Sequence, residues 1–237
     1  MPAPTTTEMQ QRLQPLQALQ GRQSTHLLLY ETYLSIQGES SHAGRPCVFV
    51  RTAVCNQRCS YCDTAYAFTG GKLVPLESAL DQVLAFATPL VEITGGEPLL
   101  QPAIVELCKR LLAAGCEVLM ETGGSRDISV LPVGVKRIVD VKTPGSGEDH
   151  ANMYENLDRL RPGDEVKFVL TSRADYEWAR DLLRRLKLAE ITTVLFSPAW
   201  KLVDPADLAG WINTDRLPVR LNLQLHKYIW HPAKRGV

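Results

Sequence analysis

The sequence lacks three features that mark specialised classes of protein. Lysine and arginine number 26 and aspartate and glutamate also number 26, so the formal net charge is zero, whereas dedicated nucleic-acid binders usually carry a basic excess. No apolar run approaches about 18 residues, the length that a membrane-spanning helix needs. Residues 1–24 contain no apolar core of the signal-peptide type. We therefore expect a protein of the reducing cytosol, where structural disulfides are rare.

The chain has 237 residues, of which 45% are hydrophobic and 22% charged, a composition typical of globular proteins. This length is sufficient for one large domain with a sizeable core. We predict a single domain over residues 26–237, preceded by a mobile, Gln-rich extension over residues 1–25. A weak stripe of leucines from Leu13 to Leu19 is interrupted by Pro15, and a docked helix is the alternative for this extension.

From residue 26 onward, short β-branched runs alternate with amphipathic segments. The predicted strands are 47–54, 90–94, 117–121, 137–141, 165–170, 192–196 and 219–225. The predicted helices are 76–87, 104–114 and 174–188, and Gly115 stands where a helix C-cap is wanted. Alternating strands and helices indicate a parallel sheet with helices outside it. The number of strands falls short of a closed eight-stranded barrel, so we predict an α/β fold with a partial, open barrel of about six parallel strands. A doubly wound sheet is the alternative.

Three cysteines, Cys55, Cys59 and Cys62, give the strongest functional signal. They follow the predicted strand 47–54 directly, and the carboxyl ends of parallel strands are where such proteins place active sites. Cysteine thiolates are the usual ligands of 4Fe–4S clusters, and three of them leave one iron free for a further ligand. The alternative is a zinc site, which requires a fourth ligand that the sequence does not offer at a suitable spacing. Cysteines elsewhere in the chain resemble small buried hydrophobic residues.

A second signal is the segment Thr94-Gly95-Gly96-Glu97-Pro98, which ends the predicted strand 90–94. Two glycines allow a ligand to approach the backbone closely, and a carboxylate beside them can accept hydrogen bonds from an ammonium group. The alternative is a tight turn with proline at a helix start. Because this segment lies one β/α unit after the cysteines, both signals are expected on the same rim.

Together these two motifs resemble the radical S-adenosylmethionine (SAM) enzymes. Further stretches are similar to one family among them, the 7-carboxy-7-deazaguanine synthases. They are Tyr-Leu-Ser-Ile-Gln-Gly-Glu at 33–39, Phe-Val-Arg at 49–51, Cys-Asp-Thr at 62–64 and Gln-Leu-His-Lys-Tyr at 224–228. The resemblance covers roughly residues 27–230.

The resemblance implies a radical SAM type of partial barrel and a specific reaction. Such an enzyme is a lyase that rearranges 6-carboxy-5,6,7,8-tetrahydropterin to 7-carboxy-7-deazaguanine with loss of ammonia, in queuosine and deazapurine biosynthesis. The implied cofactors are a 4Fe–4S cluster, SAM used catalytically and Mg²⁺. The implied partners are the pterin substrate, an electron donor such as flavodoxin or ferredoxin, and a second copy of the chain in a homodimer.

The resemblance also implies roles for individual residues. Cys55, Cys59 and Cys62 would ligate the cluster, and Thr64 would bind Mg²⁺. Substrate contacts would come from Ile36, Gln37, Gly38, Glu39, Arg51, Thr94 and His226. SAM contacts would come from Gly95, Gly96, Glu97, Asp140, Lys142, Ser197 and Pro198, with Asp140 standing where the family has a hydroxyl group. Glu121 is the predicted catalytic residue on the same rim.

Two alternative functions stay open at this point. One is another small radical SAM enzyme, such as an activase that generates a glycyl radical on a partner protein. The motifs at 33–39, 62–64 and 224–228 argue against it. The other is a non-catalytic, zinc-stabilised binding module, in which the Gly-Gly-Glu-Pro segment would have no purpose.

Overall fold

A computed structural model describes residues 3–232 and 234–237 of the chain. The strands are β1 His26–Ile36, β2 Pro46–Thr52, β3 Lys72–Pro75, β4 Leu90–Gly95, β5 Glu117–Thr122, β6 Lys136–Asp140, β7 Glu165–Leu170, β8 Thr193–Pro198 and β9 Arg220–Leu221. The helices are α1 Thr6–Leu13, α2 Leu76–Leu84, α3 Ala103–Ala113, α4 Arg173–Leu186, α5 Leu188–Ile191, α6 Pro205–Asp215 and α7 His226–Ile229.

All nine strands lie in one sheet, in the order β3-β1-β2-β4-β5-β6-β7-β8-β9. From β2 to β9 every neighbouring pair is parallel, whereas β1 pairs antiparallel with both β2 and β3. The sheet is open, since β3 and β9 stand at its two ends. The predicted partial barrel of about six parallel strands is confirmed, with β9 reduced to two residues.

Helices α2, α3, α4 and α6 cover the outer face of the sheet because its strands present apolar side chains on that side. One core cluster joins α2 and α3 to β1, β2, β4 and β5, and a second joins α4 and α6 to β6, β7 and β8. The longest helix, α4, starts at Ser172, whose hydroxyl accepts a hydrogen bond from the backbone of Asp175. Gly115 follows α3 with φ +85°, a conformation that favours glycine after a helix. Within the described residues no helix is long and apolar enough to cross a membrane.

The inner face of the sheet changes from apolar to charged along the strands. Its floor is formed by Cys47, Phe49, Leu90, Leu119 and Ile138. Two residues further along three of these strands stand Arg51, Glu121 and Asp140, because side chains of a strand return to the same face every second residue. The carboxyl ends of the strands therefore form a polar rim above an apolar floor.

The N-terminal extension contains α1 and a 3-10 helix, Gln14–Leu19. A capping box formed by Thr5 and Glu8 starts α1. Leu19 is only 2% exposed and packs with Ala53 and Val54, just before the first cysteine of the motif. These contacts correspond to the docked-helix alternative, and the mobility of the extension stays a prediction.

Candidate active site

A cavity of about 400 Å³ opens at the polar rim, at the carboxyl ends of the parallel strands. Every residue predicted for the site lines it, with the exception of Glu97. The lining residues among those predicted are Ile36, Gln37, Gly38, Glu39, Arg51, Cys55, Cys59, Cys62, Thr64, Thr94, Gly95, Gly96, Glu121, Asp140, Lys142, Ser197, Pro198 and His226. The fold thus gathers residues separated by up to 190 positions into one space.

The three cysteines lie on the loop that follows β2 and carry free thiols. Burial and the nearby carboxylate of Glu97 raise the pKa of Cys55 to about 12. Burial also raises the pKa of Cys59. Burial therefore favours the neutral thiol form of both cysteines. A metal cation that replaces the proton would stabilise the thiolate form instead.

Three free cysteine thiols on one loop form a donor set that fits an iron–sulfur cluster. Among residues 3–232 and 234–237, no three His, Cys, Asp or Glu side chains converge closely enough to hold a single metal ion. A zinc ion requires its ligands to converge on one point. A cubane cluster instead has its irons at separate corners, so three thiolates spread along one loop suit it.

The cysteine loop is fastened to the segment that follows β6. Ser60 donates from its backbone nitrogen to the carbonyl of Ser146 over 3.0 Å, and from its hydroxyl to the carbonyl of Gly145 over 2.8 Å. Asp175 at the start of α4 in turn accepts a hydrogen bond from the backbone nitrogen of Gly145 over 2.8 Å. Helix α4 therefore fixes, through one intermediate segment, the loop that carries the cysteines.

Gly95, the last residue of β4, and Gly96 after it allow the chain there to approach the backbone of Thr52 and Val54 closely. A Cβ atom at Gly95 would lie 2.3 Å from the carbonyl oxygen of Thr52, and one at Gly96 would lie 2.0 Å from that of Val54. Gly95 also has φ +133°, which strains any other residue. The sequence suggested that the glycines admit a ligand. The structure shows that the space left by their missing side chains is occupied by the backbone that precedes Cys55.

Glu97 does not line the cavity, and its predicted contact with SAM stays a prediction. Its carboxylate is fully buried and accepts hydrogen bonds from the backbone nitrogens of Leu99 and Gly123 and from the hydroxyl of Thr122. The carboxylate therefore links the loops after β4 and β5 instead of facing the cavity. The sequence could not show this, because the partners follow a different strand.

Glu121 pairs with Lys167, a residue that the sequence analysis missed. The ammonium group of Lys167 contacts the Glu121 carboxylate and lies 3.1 Å from Glu39. Thr94 donates a hydrogen bond to Glu121 over 3.1 Å. Burial opposes ionisation of Glu121, but the charge of Lys167 and these hydrogen bonds hold its pKa below the usual value. A lysine between the apolar residues Val166 and Phe168 of β7 was the signal that could have revealed it.

Asp140 and Lys142 form a second buried ion pair, with 2.7 Å between Oδ2 and Nζ. The Lys142 ammonium group also lies 5.7 Å from the centre of the Tyr61 ring. The Oδ1 atom of Asp140 is buried and accepts no hydrogen bond within the described protein. An unpaired buried carboxylate oxygen facing a cavity is suited to a donor group on a bound ligand.

Gln37 is buried, and both ends of its amide are engaged. Its nitrogen donates to Glu92, and its oxygen accepts from the backbone nitrogen of Glu39 over 3.0 Å. Burial and the nearby Glu121 carboxylate raise the pKa of Glu92 well above the usual value. The amide predicted to face the pterin thus orders the wall of the cavity, together with a buried acid that the sequence analysis did not include.

Arg51 lies on the cavity wall in a fixed orientation. Its Nε donates to Glu31 over 2.8 Å and its Nη2 donates to the hydroxyl of Tyr33 over 2.9 Å. Tyr66 also donates to Glu31, over 3.0 Å. The guanidinium group is therefore held in position by neighbours from two segments, β1 and the segment that contains Tyr66, and needs little ordering when an anion binds.

The C-terminal motif packs directly on the segment after β1. A Cβ atom at Gly38 would lie 2.3 Å from Nδ1 of His226, so only glycine leaves room for this ring. Leu225 donates from its backbone nitrogen to the carbonyl of Gly38 over 2.9 Å. Asn222 donates to the hydroxyl of Ser197 over 2.8 Å. Contacts made by the C-terminal segment therefore hold the side chains of His226 and Ser197 at the cavity.

Thr64 lies at the end of the cysteine loop, with its hydroxyl oxygen 3.7 Å from the sulfur of Cys62. The preceding Asp63 forms an ion pair with Lys227. Thr64 and Asp63 both line the cavity, and hydroxyl and carboxylate oxygens are the ligand types that Mg²⁺ accepts from proteins.

Known proteins resemble this chain in sequence and in fold. The radical SAM superfamily matches residues 49–208. A 7-carboxy-7-deazaguanine synthase of Koribacter versatilis is 48% identical over 222 residues, covering 87% of this chain and 98% of that protein. One from Chlorobaculum tepidum is 43% identical and covers 89% and 97%. The crystal structure of QueE from Escherichia coli matches with a TM-score of 0.72 at 21% identity, covering 89% of this chain and 98% of that one.

Proposed function

This chain belongs to the radical SAM superfamily and, within it, to the 7-carboxy-7-deazaguanine synthases, and we propose that the cavity at its polar rim is where the reaction takes place. The enzyme is a lyase of deazapurine biosynthesis that uses a 4Fe–4S cluster and SAM. The zinc-module and glycyl-radical-activase alternatives are set aside, because the family and its named relatives point to the synthase.

One observation carries the assignment of the reaction to this cavity. The three cysteines, the two glycines at the end of β4 and residues from each of the motifs at 33–39, 62–64 and 224–228 line the same space. The proposed substrate is 6-carboxy-5,6,7,8-tetrahydropterin, which loses ammonia to become 7-carboxy-7-deazaguanine. Phe49 and Ile138, the two residues of the apolar floor that line the cavity, would hold the ring system away from water.

We propose that the protein holds its cofactors and substrate with separate groups. Cys55, Cys59 and Cys62 would hold the cluster, and Asp140 and Lys142 would contact SAM. When bound, the cluster and SAM supply a radical that removes one hydrogen atom from the substrate and later returns it.

The charged groups of the rim would bind and orient the pterin. Arg51 offers a fixed cation to the substrate carboxylate in fork geometry. The Lys167 ammonium group and the Glu121 carboxylate form an ion pair. The ammonium group can donate a proton as an acid and the carboxylate can accept one as a base, and the loss of ammonia requires such proton transfers. The pair stands next to Thr94, which is proposed to contact the substrate.

We propose Mg²⁺ as a further cofactor, bound by Thr64. Its hydroxyl lines the cavity beside the cysteine loop, and a substrate carboxylate can complete the oxygen ligands that this ion prefers. Replacing Thr64 with valine removes the hydroxyl and preserves the shape of the side chain. The expected result is a weaker dependence of the rate on Mg²⁺, measured by titrating the ion against initial rate.

The finer partners also belong to this proposal. A flavodoxin or ferredoxin would supply the electron, and two copies of the chain would form a homodimer, as the resemblance implies. Sedimentation of the purified protein tests the dimer. The rate with each purified electron donor in place of a chemical reductant tests the donor.

The decisive experiment is anaerobic reconstitution with iron and sulfide, followed by reduction and addition of SAM and 6-carboxy-5,6,7,8-tetrahydropterin. Mass spectrometry should find 7-carboxy-7-deazaguanine. The variant Cys59→Ala should lose both iron and product, whereas Cys116→Ala, which changes a cysteine outside the cavity, should keep both. 5′-Deoxyadenosine without the deazaguanine would contradict the proposed substrate. Absence of a cluster in the wild-type protein would contradict the cofactor assignment.

A further inference from the structure

We propose that Arg12, on helix α1 of the N-terminal extension, is a positioning residue for the loop that carries the cluster-binding cysteines. The inference rests on the proposed function, because that function gives the loop its cluster. Its content goes further, since it assigns a role to a segment that lies outside the barrel and outside the cavity lining.

The Arg12 guanidinium group reaches the cysteine loop directly. Its Nη1 atom donates to the carbonyl of Asn56 over 2.8 Å and to the carboxylate of Glu148 over 2.9 Å. Asn56 is the residue next to Cys55. The Arg12 side chain is 17% exposed and that of Glu148 is 3% exposed, so this is a largely buried ion pair.

Glu148 carries the contact onward to the middle of the loop. The same carboxylate oxygen that meets Arg12 accepts a hydrogen bond from the backbone nitrogen of Arg58 over 2.7 Å. Arg58 immediately precedes Cys59. Arg12 thus holds the backbone carbonyl of Asn56, next to Cys55, and Glu148 holds the backbone nitrogen of Arg58, next to Cys59.

The apolar side of the extension supports the start of the same loop. Leu13, Leu16 and Leu19 pack in a cluster that contains Val54. Val54 has φ +75°, a strained conformation that is rare for a β-branched residue. Such a conformation persists only when the surrounding structure enforces it, and the extension is part of that surrounding structure.

Arg12 also balances a buried charge near the cluster site. The second carboxylate oxygen of Glu148 accepts no hydrogen bond within the described protein and lies 3.6 Å from Nε2 of His150. Removing Arg12 would leave the Glu148 carboxylate buried without its main counter-ion. An unbalanced negative charge near a cluster makes its reduction less favourable.

The test compares Arg12→Met with Arg22→Met, a matched change at an exposed arginine of the same extension. Hydrogen exchange of the apo protein is read by mass spectrometry. Arg12→Met should speed exchange in residues 55–60 about tenfold and leave β7 unchanged, because the hydrogen bonds of the loop open locally. Should Arg12→Met fail to fold, Arg12→Gln is measured with the same expectation. Equal exchange in the Arg12 and Arg22 variants, or uniform acceleration across the domain, would overturn the proposal.

The second readout is the reduction potential of the reconstituted cluster, which a purely structural role would not move. Arg12→Met should lower the potential, and Arg12→Met combined with Glu148→Gln should return it toward the wild-type value. An unchanged potential in Arg12→Met would overturn the positioning role. A wild-type protein that holds no cluster would instead refute the proposed function, and the exchange experiment on the apo protein distinguishes the two failures.

Discussion

The ammonium group of Lys227 lies 2.6 Å from the carboxylate of Asp63. This single ion pair joins two of the motifs that identify the family, because Asp63 stands between Cys62 and Thr64 and Lys227 follows His226. Gln224 reinforces the contact, since its amide nitrogen donates to Asp63 over 3.2 Å and its oxygen accepts from Lys227 over 2.7 Å. The C-terminal helix α7 is thereby tied to the end of the cysteine loop.

Replacing Lys227 with methionine should therefore loosen α7 and displace His226. The carboxylate of Asp63 is 44% exposed, so we expect a loss of only about 1 kcal/mol. Because α7 lies on the proposed substrate side, the loss should appear as a roughly five-fold higher KM for the pterin with a smaller change in kcat. Steady-state kinetics measure this, and Lys109→Met, at an exposed site on α3, is the control. An unchanged KM would remove the link between the ion pair and substrate binding.

Lys167→Met should change the pH dependence of the reaction. The charge of Lys167 lowers the pKa of Glu121, so its removal allows this carboxylate to become protonated at a higher pH. The acidic limb of kcat/KM for the pterin should move upward in pH, and the plateau should fall about 10²–10³-fold through loss of acid–base assistance. The control is Lys136→Met, whose partner Glu117 lies at the opposite end of the strands. An unshifted acidic limb would contradict the inference that Lys167 lowers the pKa of a carboxylate on which the reaction depends.

The parallel strands were predictable from sequence because each is a short β-branched run bounded by turns. Strand β1 was missed because Glu31 and Thr32 interrupt its apolar pattern, and these residues oppose Arg51 and Val50 across an antiparallel pair. Helix α6 was missed because its apolar residues do not form a clear stripe around Gly210. Both elements are decided by their packing partners and not by local pattern.

The site was predictable where a motif occupies one loop and unpredictable where a residue depends on distant partners. The cysteines needed no tertiary information. Lys167 required knowledge of which side of β7 faces the cavity, and Glu97 required the loop after β5. Arg12 contacts Glu148, which lies 136 positions later in the sequence. The sequence pattern of residues 1–25 gives no indication of such a distant contact.

Glu117 should contribute to stability in a pH-dependent manner. Its carboxylate lies 2.7 Å from Arg45 and 2.5 Å from Lys136, and the hydrogen bond from Arg45 is the largest of the effects that lower its pKa to about 2. A lowered pKa stabilises the folded state above the ordinary carboxyl pKa, and this stabilisation is lost as the pH falls from about 5 toward 2. Since the side chain is 29% exposed, we expect about 1–2 kcal/mol.

Urea unfolding of Glu117→Gln against wild type tests this expectation. The variant should be less stable at pH 7, and the difference should shrink steadily below pH 5. Glu77→Gln removes a surface carboxylate that pairs with Arg110 and should show little difference at either pH. A gap between Glu117→Gln and wild type that stayed constant with pH would contradict an electrostatic origin.

Gly96→Ala should disable the site, although alanine adds only one carbon atom. That atom would lie 2.0 Å from the carbonyl oxygen of Val54 and 2.9 Å from the backbone nitrogen of Cys55. The backbone there cannot move freely, because Val54 donates to Ala67 and accepts from Glu97 and is buried against the N-terminal extension. The loop must shift as a unit, so we expect iron retention after reconstitution to fall at least about tenfold.

Gly210→Ala is the control, since its added carbon atom meets nothing within 4 Å and alanine favours the helix by about 1 kcal/mol. Iron and acid-labile sulfide are measured on both variants beside their circular dichroism spectra. Full iron content in a folded Gly96→Ala protein would mean that the cysteine loop tolerates displacement at its first residue, contrary to the contacts that hold it.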